Sequence, residues 1–369
     1  MIQVTPSRCR PAGAAADRGV WFDEMVDPHP PRGVPTAWFE CLQAWAAAFA
    51  AGGTGHLRVA SVWRNGIPAA VLPVVTRRRH GLVWRTELPA NPWLVCGGLS
   101  VNEPRADESV FDELADRILQ IPGHYLDFQL VPAAAAWDAL AAAFVRRGCR
   151  VDRRVEFQTG IITWSDRPGA CLDHCSGNHR KKMRAAWKRL NGYGEVRLER
   201  DRGFASADCR DALLSEVIDM EQRSWKGQRG SAIANHPSVE VLFRRVAATL
   251  DERGLLEIHR LLVDGRPVAF DLGCRAGTTW YSHKIGFDRE FARFSPGQLL
   301  LYAQLQQWSV DGEVNRIDTM GAISAATSKW TTTTEPRYRY RISRPGQLDR
   351  WAMQAFCRTR DLLKCSLHQ

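Results

Sequence analysis

No stretch of this 369-residue chain approaches the roughly 20 apolar residues needed to cross a bilayer; the longest small and apolar run is Ala44–Gly53. Residues 1–19 carry basic side chains but no apolar core, so no secretory signal is expected there and a cytoplasmic location is. Also missing are a Gly-rich phosphate loop ending in Gly-Lys-Ser/Thr, His-Glu-x-x-His, Gly-x-Ser-x-Gly and Gly-x-Gly-x-x-Gly. Phosphate-loop ATP hydrolysis, zinc proteolysis, elbow-type serine hydrolysis and dinucleotide redox chemistry are therefore poorly supported. Ten cysteines without an export signal read as reduced, mostly buried thiols. One cluster, Cys171, His174 and Cys175 with His179 nearby, has no second ligand pair to complete a zinc site, so no metal is expected.

What the chain does have is a globular composition, 45% hydrophobic and 24% charged, which rules out a disordered or fibrous protein. Its length suggests two domains. The formal charge of +10 favours an anionic partner such as a phosphorylated donor, nucleic acid or an acidic surface.

Two segments repeat one pattern. Residues 58–72 (RVASVWRNGIPAAVL) and 257–271 (EIHRLLVDGRPVAFD) each read as a strand, a turn, then x-Pro-x-Ala and a second strand. Asn65-Gly66 and Asp264-Gly265 suit a type I′ turn, whose two central residues need positive φ. A helical pattern precedes each, at 37–51 and 239–253. The same helix–strand–turn–strand order twice suggests two copies of one α/β unit divided near 165–175.

The second copy continues with strands at 279–287, 314–321 and 338–342 and a helix after Ser295-Pro296-Gly297-Gln298. Ser295 is a suitable N-cap, Pro296 suits the first helical position and Gln298 would complete a capping box. Gly297 bares backbone N–H groups to a phosphate, with Arg293 beside them; an ordinary capped helix reads the same way.

The ordered set Glu221-x-x-Ser-Trp225-Lys226-Gly227, VDGRPVAF, Tyr281-Ser-His283-Lys-Ile-Gly-Phe-Asp288, Ser295-Pro296-Gly297-x-Leu-Leu, Asp318-x-x-Gly321 and Lys329-Trp330 resembles the CelD/BcsL branch of the GNAT acyltransferase superfamily. The likeness covers about residues 20–335. It implies an α/β fold of two tandem GNAT-like domains, the acyl-CoA N-acyltransferase fold, as in Fem-type peptidyltransferases. The expected division is a flexible segment 1–19, a non-catalytic N-terminal domain 20–168, a donor-binding domain 169–345 and a C-terminal helix 346–369. The implied activity is acyl transfer from acyl-CoA to the amine of a small molecule, peptide or saccharide, without a covalent enzyme intermediate. Arg293-Phe-Ser-Pro-Gly297-Gln keeps one basic residue and one glycine of the family's pyrophosphate loop but not its spacing, which leaves an acyl carrier protein or aminoacyl-tRNA open as donor. A non-catalytic scaffold is the third reading.

Amine acylation needs a proton acceptor, and a base is most useful with a pKa near working pH. His283 is the first candidate; a structural histidine beside Tyr281 is the alternative. Two-residue turns would align His259, Phe270 and His283 in one row and Ile258, Asp271 and Ser282 in the neighbouring row on the opposite face, with Arg260 and Lys284 one step along. Asp271 is then either a base raised by burial or an ion pair. In the resemblance, Glu221 binds or deprotonates the acceptor, Trp225, Lys226 and Tyr281 line its pocket and Asp318 is a further acceptor-binding residue; the alternative for Glu221 is a solvated carboxylate. The basic segment Asn178–Leu190 would receive a phosphate or an RNA backbone, or would be a solvated helix.

Overall fold

The computed structural model describes residues 55–79, 83–89, 98–165, 167 and 170–346. The expected helix at 37–51, the segment 1–19 and nearly all of the expected helix 346–369 lie outside the described residues. The chain forms two compact units, residues 157–335 making one and the flanking residues on both sides the other. It passes between them within two strands, Arg150–Thr163 and Thr333–Ser343.

In the first unit, β1 (Gly55–Arg64) and β2 (Ile67–Arg79) form a hairpin, and β3 (Val83–Glu87) follows. After β4 (Ser100–Val101), helix α1 (Glu108–Gln120) leads to β5 (Tyr125–Pro132), then to α2 (Ala135–Arg146) and β6 (Arg150–Thr163). Asp107 fixes the start of α1 by accepting from Val110 N at 3.1 Å. The strands run β1–β2–β3–β5, with β4 on β2, and the chain's last described strand completes the sheet beside β5. Val110, Leu114 and Ile118 recur on one face of α1, as Trp137, Leu140 and Phe144 do on α2, and they bury against Leu72, Val74 and Phe128.

The second unit begins in the latter part of β6. Helix α3 (Gly177–Asn191) is capped by Ser176, which accepts from His179 N, and β7 (Val196–Arg202) follows. Helices α4 (Ala207–Arg223), α5 (Trp225–Gln228) and α6 (Pro237–Glu252) precede β8 (Leu256–Val263), β9 (Arg266–Ala276) and β10 (Thr279–Phe287). Helix α7 (Pro296–Asp311) then crosses to β11 (Arg316–Ala322), and β12 (Thr333–Ser343) returns to the first unit. The sheet order is β6–β11–β10–β9–β8–β7, and β10 with β11 is its parallel pair. Leu299, Leu305 and Trp308 of α7, with Met183 and Leu190 of α3, cover Leu261, Val268, Trp280 and Ile317 on one sheet face.

The two hairpins share a detail beyond their turns. Asn65, Gly66, Asp264 and Gly265 have φ of 52°, 77°, 49° and 77°, as a type I′ turn requires. In each hairpin the residue after the proline is skipped. Trp63 faces Pro68 and Val62 faces Ala70; Leu262 faces Pro267 and Leu261 faces Ala269. Ala69 and Val268 are thus equivalent β-bulges. In each unit the hairpin leads to a third antiparallel strand, then by a crossover helix to a parallel partner: β3, α1, β5 in one and β10, α7, β11 in the other. Each parallel partner also holds one non-glycine residue in the left-handed region, Leu130 at φ 59° and Met320 at φ 59°.

The bulge at Val268 overturns the expected side-chain rows. His259 faces Asp271, not Phe270. A second bulge, between Ser282 and Lys284, sets Lys284 opposite Leu272 and Ile285 opposite Asp271 and leaves His283 out of register.

Candidate active site

Strands β10 and β11 pair only from Thr279 to Tyr281 against Arg316 to Asp318 and then part. The bulge at His283 lies where they part. Because it adds one residue, His283 and Lys284 both reach the helices opposite α7: the His283 ring stands edge-on to Phe243 of α6 at 6.0 Å, and Lys284 Nζ lies 5.6 Å from the same ring. His283 Nε2 is shielded from solvent with no hydrogen-bond partner among the described residues. Burial pulls the imidazole from its usual range down to about 4, so it is neutral at physiological pH.

Glu221, on the last turn of α4, is fully buried. Its Oε2 accepts from Ile233 N at 2.9 Å, while Lys226 Nζ and Lys284 Nζ stand 3.1 and 3.0 Å from its Oε1. Lys226 also donates to Ile285 O, tying α5 to β10. Burial holds the Lys226 ammonium below the usual lysine range, the Lys284 charge adds to that, and Glu221 opposes it. Trp225 is 43% exposed, with the Arg229 guanidinium 5.0 Å over its ring. The sequence grouping of Glu221 with Lys226 is therefore found in space, and Lys284 joins them.

Asp271 stands elsewhere. The expected ion pair with Arg260 or Lys284 is absent: Arg260 bonds Glu199, Asp201 and Glu216, and Lys284 bonds Glu221. Instead Asp271 Oδ2 accepts from Trp280 Nε1 at 2.9 Å and Gln304 Nε2 at 3.1 Å, and Oδ1 from Ser282 Oγ at 2.7 Å. Burial pushes its carboxyl above the usual range, against the pull of these hydrogen bonds. The other Gln304 N–H donates to His259 Nδ1 at 2.9 Å, and His259 Nε2–H donates to Glu257 Oε2 at 3.0 Å. Burial opposes the charge on Glu257, yet hydrogen bonds from His259 and Arg275 outweigh it and hold that carboxyl at about 2. Ser282, Gln304 and Glu257 were not among the expected site residues, although the expected rows already set Ser282 beside Asp271.

The start of α7 departs from the expected capping box. Ser295 is left-handed, φ 56° and ψ 52°, and its hydroxyl makes no cap bond. Gln298 Oε1 accepts from Trp330 Nε1 at 2.7 Å instead. Pro296 has no N–H, and the N–H groups of Gln298 and Leu299 go to Ser295 O, which leaves that of Gly297 as the free donor of the first turn. A Cβ on Gly297 would meet only Phe287, at 3.8 Å, so this backbone is open to approach. Arg293 is exposed and lies over Tyr193 and Phe294, at 5.5 and 4.8 Å. Such a turn fits a phosphate-bearing donor.

Asp318 is buried and braces β11: its Oδ1 accepts from Met320 N at 2.8 Å and from Thr159 Oγ1 at 3.3 Å. Tyr281, which faces it by register, is half-buried. Cys171 and Cys175 are buried, and burial raises the Cys175 thiol to about 11; His174 Nε2 lies 2.6 Å from Trp330 O. On α3, Lys181, Lys182, Arg184, Lys188 and Arg189 are exposed, and none forms an ion pair among the described residues. By contrast Arg200, Arg202, Arg210, Arg244 and Arg266 all hold carboxylates.

A family model described as an acetyltransferase (GNAT) domain matches residues 177–330, which contain all of these groups except Cys171, His174, Cys175 and Thr159. Among solved structures the chain is similar to FemX, at 14% identity over 85% of this chain and 92% of that one, TM-score 0.56. It is also similar to the C-terminal DUF2156 domain of a putative lysylphosphatidylglycerol synthetase from Agrobacterium fabrum, at 12% identity over 86% and 95%, TM-score 0.49. A tandem GNAT protein from the clavulanic acid biosynthesis pathway is 14% identical over 92% and 99%, TM-score 0.46. No curated protein matches the chain. No helix among the described residues is long and apolar enough to cross a membrane. At 14% identity the FemX likeness speaks for the fold alone, and the family match marks residues 177–330 of this α/β chain as a GNAT-type acetyltransferase domain.

Proposed function

We propose that the second unit is an N-acyltransferase of the CelD/BcsL type that moves an acyl group from acyl-CoA to an amine in the cytoplasm. One observation carries this reading: β10 leaves β11 after Tyr281 and bulges at His283, with the open first turn of α7 next in the chain. The gap between parting strands would admit a thioester arm, and N–H groups of β10 past Tyr281 would polarise its carbonyl. Gly297 N–H and Arg293 would hold the donor's phosphates. The amine would attack the thioester directly, without a covalent enzyme intermediate. Its proton would pass to His283 Nε2 or to water. Ser282 would return a proton to the departing thiolate and recover it from Asp271, whose carboxyl is raised by burial. Glu221, held by two lysines, would then position the acceptor and not deprotonate it.

A second reading changes the donor to aminoacyl-tRNA, and the unpaired cations of α3 favour it. Thiol release from acetyl-CoA and longer acyl-CoAs over a panel of amines tests the first reading, with charged tRNA as a parallel arm. Discharge of tRNA without thiol release moves the assignment to the second. Silence in both arms leaves a non-catalytic scaffold.

A further inference from the structure

The Glu221 trio is unbalanced in charge and in hydrogen bonding. Two ammonium groups meet one carboxylate, a net of +1 in a largely buried place. Two ammoniums carry six N–H donors. One makes a hydrogen bond, from Lys226 to Ile285 O, while Lys226 and Lys284 each stand at ion-pair distance from Glu221 Oε1 without a well-aligned hydrogen bond. The remaining donors have no other acceptor among the described residues. No other carboxylate answers the excess, since nearby Asp288 is held by Arg266 at 2.6 Å and Arg223 at 4.0 Å. Glu221 has no exposed surface, whereas the Lys226 and Lys284 side chains keep 18% and 12%. The trio is therefore sealed on the carboxylate side and open on the lysine side.

A buried excess charge costs free energy unless a counter-ion meets it. Holding two like charges within hydrogen-bond reach of one oxygen makes sense where an anion joins them in the working state. A monoanion neutralises the trio; a phosphate dianion would overshoot it. Phe243, beneath both Lys284 Nζ and the His283 ring, gives the same place an apolar wall.

We infer that Lys226 and Lys284, held by Glu221, bind a carboxylate of the acceptor, so that the acceptor is an amine that also bears a carboxylate. The inference rests on the acyl-transfer reading for the identity of that ligand as acceptor, and not for the anion binding itself. The two lysines are positioning groups: they fix one end of the molecule while its amine reaches the bulge at His283.

The experiment is a donor-free titration followed by ligand-observed NMR. The probes are a ladder of ω-amino acids, from glycine to 6-aminohexanoate, each beside its methyl ester and its phosphonate analogue. At least one acid should bind the wild-type protein about tenfold more tightly than its ester. Lys284→Met and Lys226→Met should erase that preference. Glu221→Gln should tighten acid binding, because it raises the local charge while keeping an acceptor for Ile233 N–H. Equal affinity for acid and ester along the whole ladder of the wild-type protein overturns the inference, as does a preference for the phosphonate. So does an acid preference that survives Lys284→Met, and the wild-type comparison stands even where a variant fails to fold. A bound acid that yields no thiol from any acyl-CoA would count against acyl transfer alone.

Discussion

Replacing Glu221 with leucine separates the electrostatics of the trio from its packing. Leucine has similar bulk, so little cavity is created; what disappears is charge and one acceptor. Lys226 and Lys284 then face each other without a counter-ion, and Ile233 N–H, now 2.9 Å from Oε2, is orphaned. Breaking a buried ion pair costs about 3–5 kcal/mol, and an unsatisfied buried N–H about 1–3 kcal/mol. Both lysines keep some exposure and can swing outward, which places the sum at about 4 kcal/mol, near the low end. For a unit of this length each kcal/mol moves Tm by about 2–4 °C, so Tm should fall by roughly 8–16 °C. The loss should also depend on pH. A lysine whose folded pKa lies below its unfolded value binds fewer protons in the folded state across that interval, so stability climbs with pH there. Melts of Glu221→Leu followed by circular dichroism should therefore recover part of the deficit as pH rises toward the ordinary lysine value of about 10.4. A leucine variant melting within about 2 °C of wild type at pH 7, with no recovery on the basic side, would refute the reasoning.

Three further outcomes are expected. His283 is neutral when folded down to about pH 4 but protonates in the unfolded chain near 6.5, so stability present above 6.5 should drain away between those values, by up to about 3 kcal/mol; denaturant titrations should show His283→Gln losing that slope. Asp271→Asn keeps acceptors for Trp280 and Gln304 and should cost about 1 kcal/mol in stability, while turnover falls by roughly 10²-fold if the carboxyl supplies the thiolate's proton; an unchanged kcat removes that role. Gly297→Trp meets little in the protein and should leave Tm unchanged while weakening acyl-CoA binding by about tenfold or more in calorimetry, and unchanged affinity would move the donor site elsewhere.

The hairpins were legible because Asn-Gly and Asp-Gly leave the backbone few alternatives. Their registers were not. Counting back from a two-residue turn is sound until a bulge adds a residue, and nothing in Pro68-Ala69 or Pro267-Val268 announces one before the pairing is seen. That one residue moved Asp271 from the supposed company of Arg260 to His259, and so from an ion pair to a buried network with Gln304. Ser295 was misread for a related reason. Propensity describes a typical N-cap in extended conformation, whereas this one is left-handed and Trp330 claims the glutamine that would have closed the box. Glu221 and Lys226 were legible as a group because five residues at a helix end cannot stray far apart. Lys284, contributed by a strand almost sixty residues on, could be placed beside them only by the fold.

The path of the chain sets an order of assembly. Near its two ends the second unit closes on itself, with Thr332 N donating to Ile161 O at 2.9 Å and Thr163 N to Thr332 Oγ1 at 3.0 Å. All of its residues are present once the chain reaches 335. The first unit, begun hundreds of residues earlier, still lacks the strand that pairs with Tyr125–Pro132, because Arg337–Ser343 follows the second unit in the chain. Domains synthesised from the N-terminus usually finish in the order they begin. Here the order is reversed: a nascent chain carries an open-edged first sheet through the whole synthesis of the second unit, and is exposed to mispairing at β5 until its partner strand arrives.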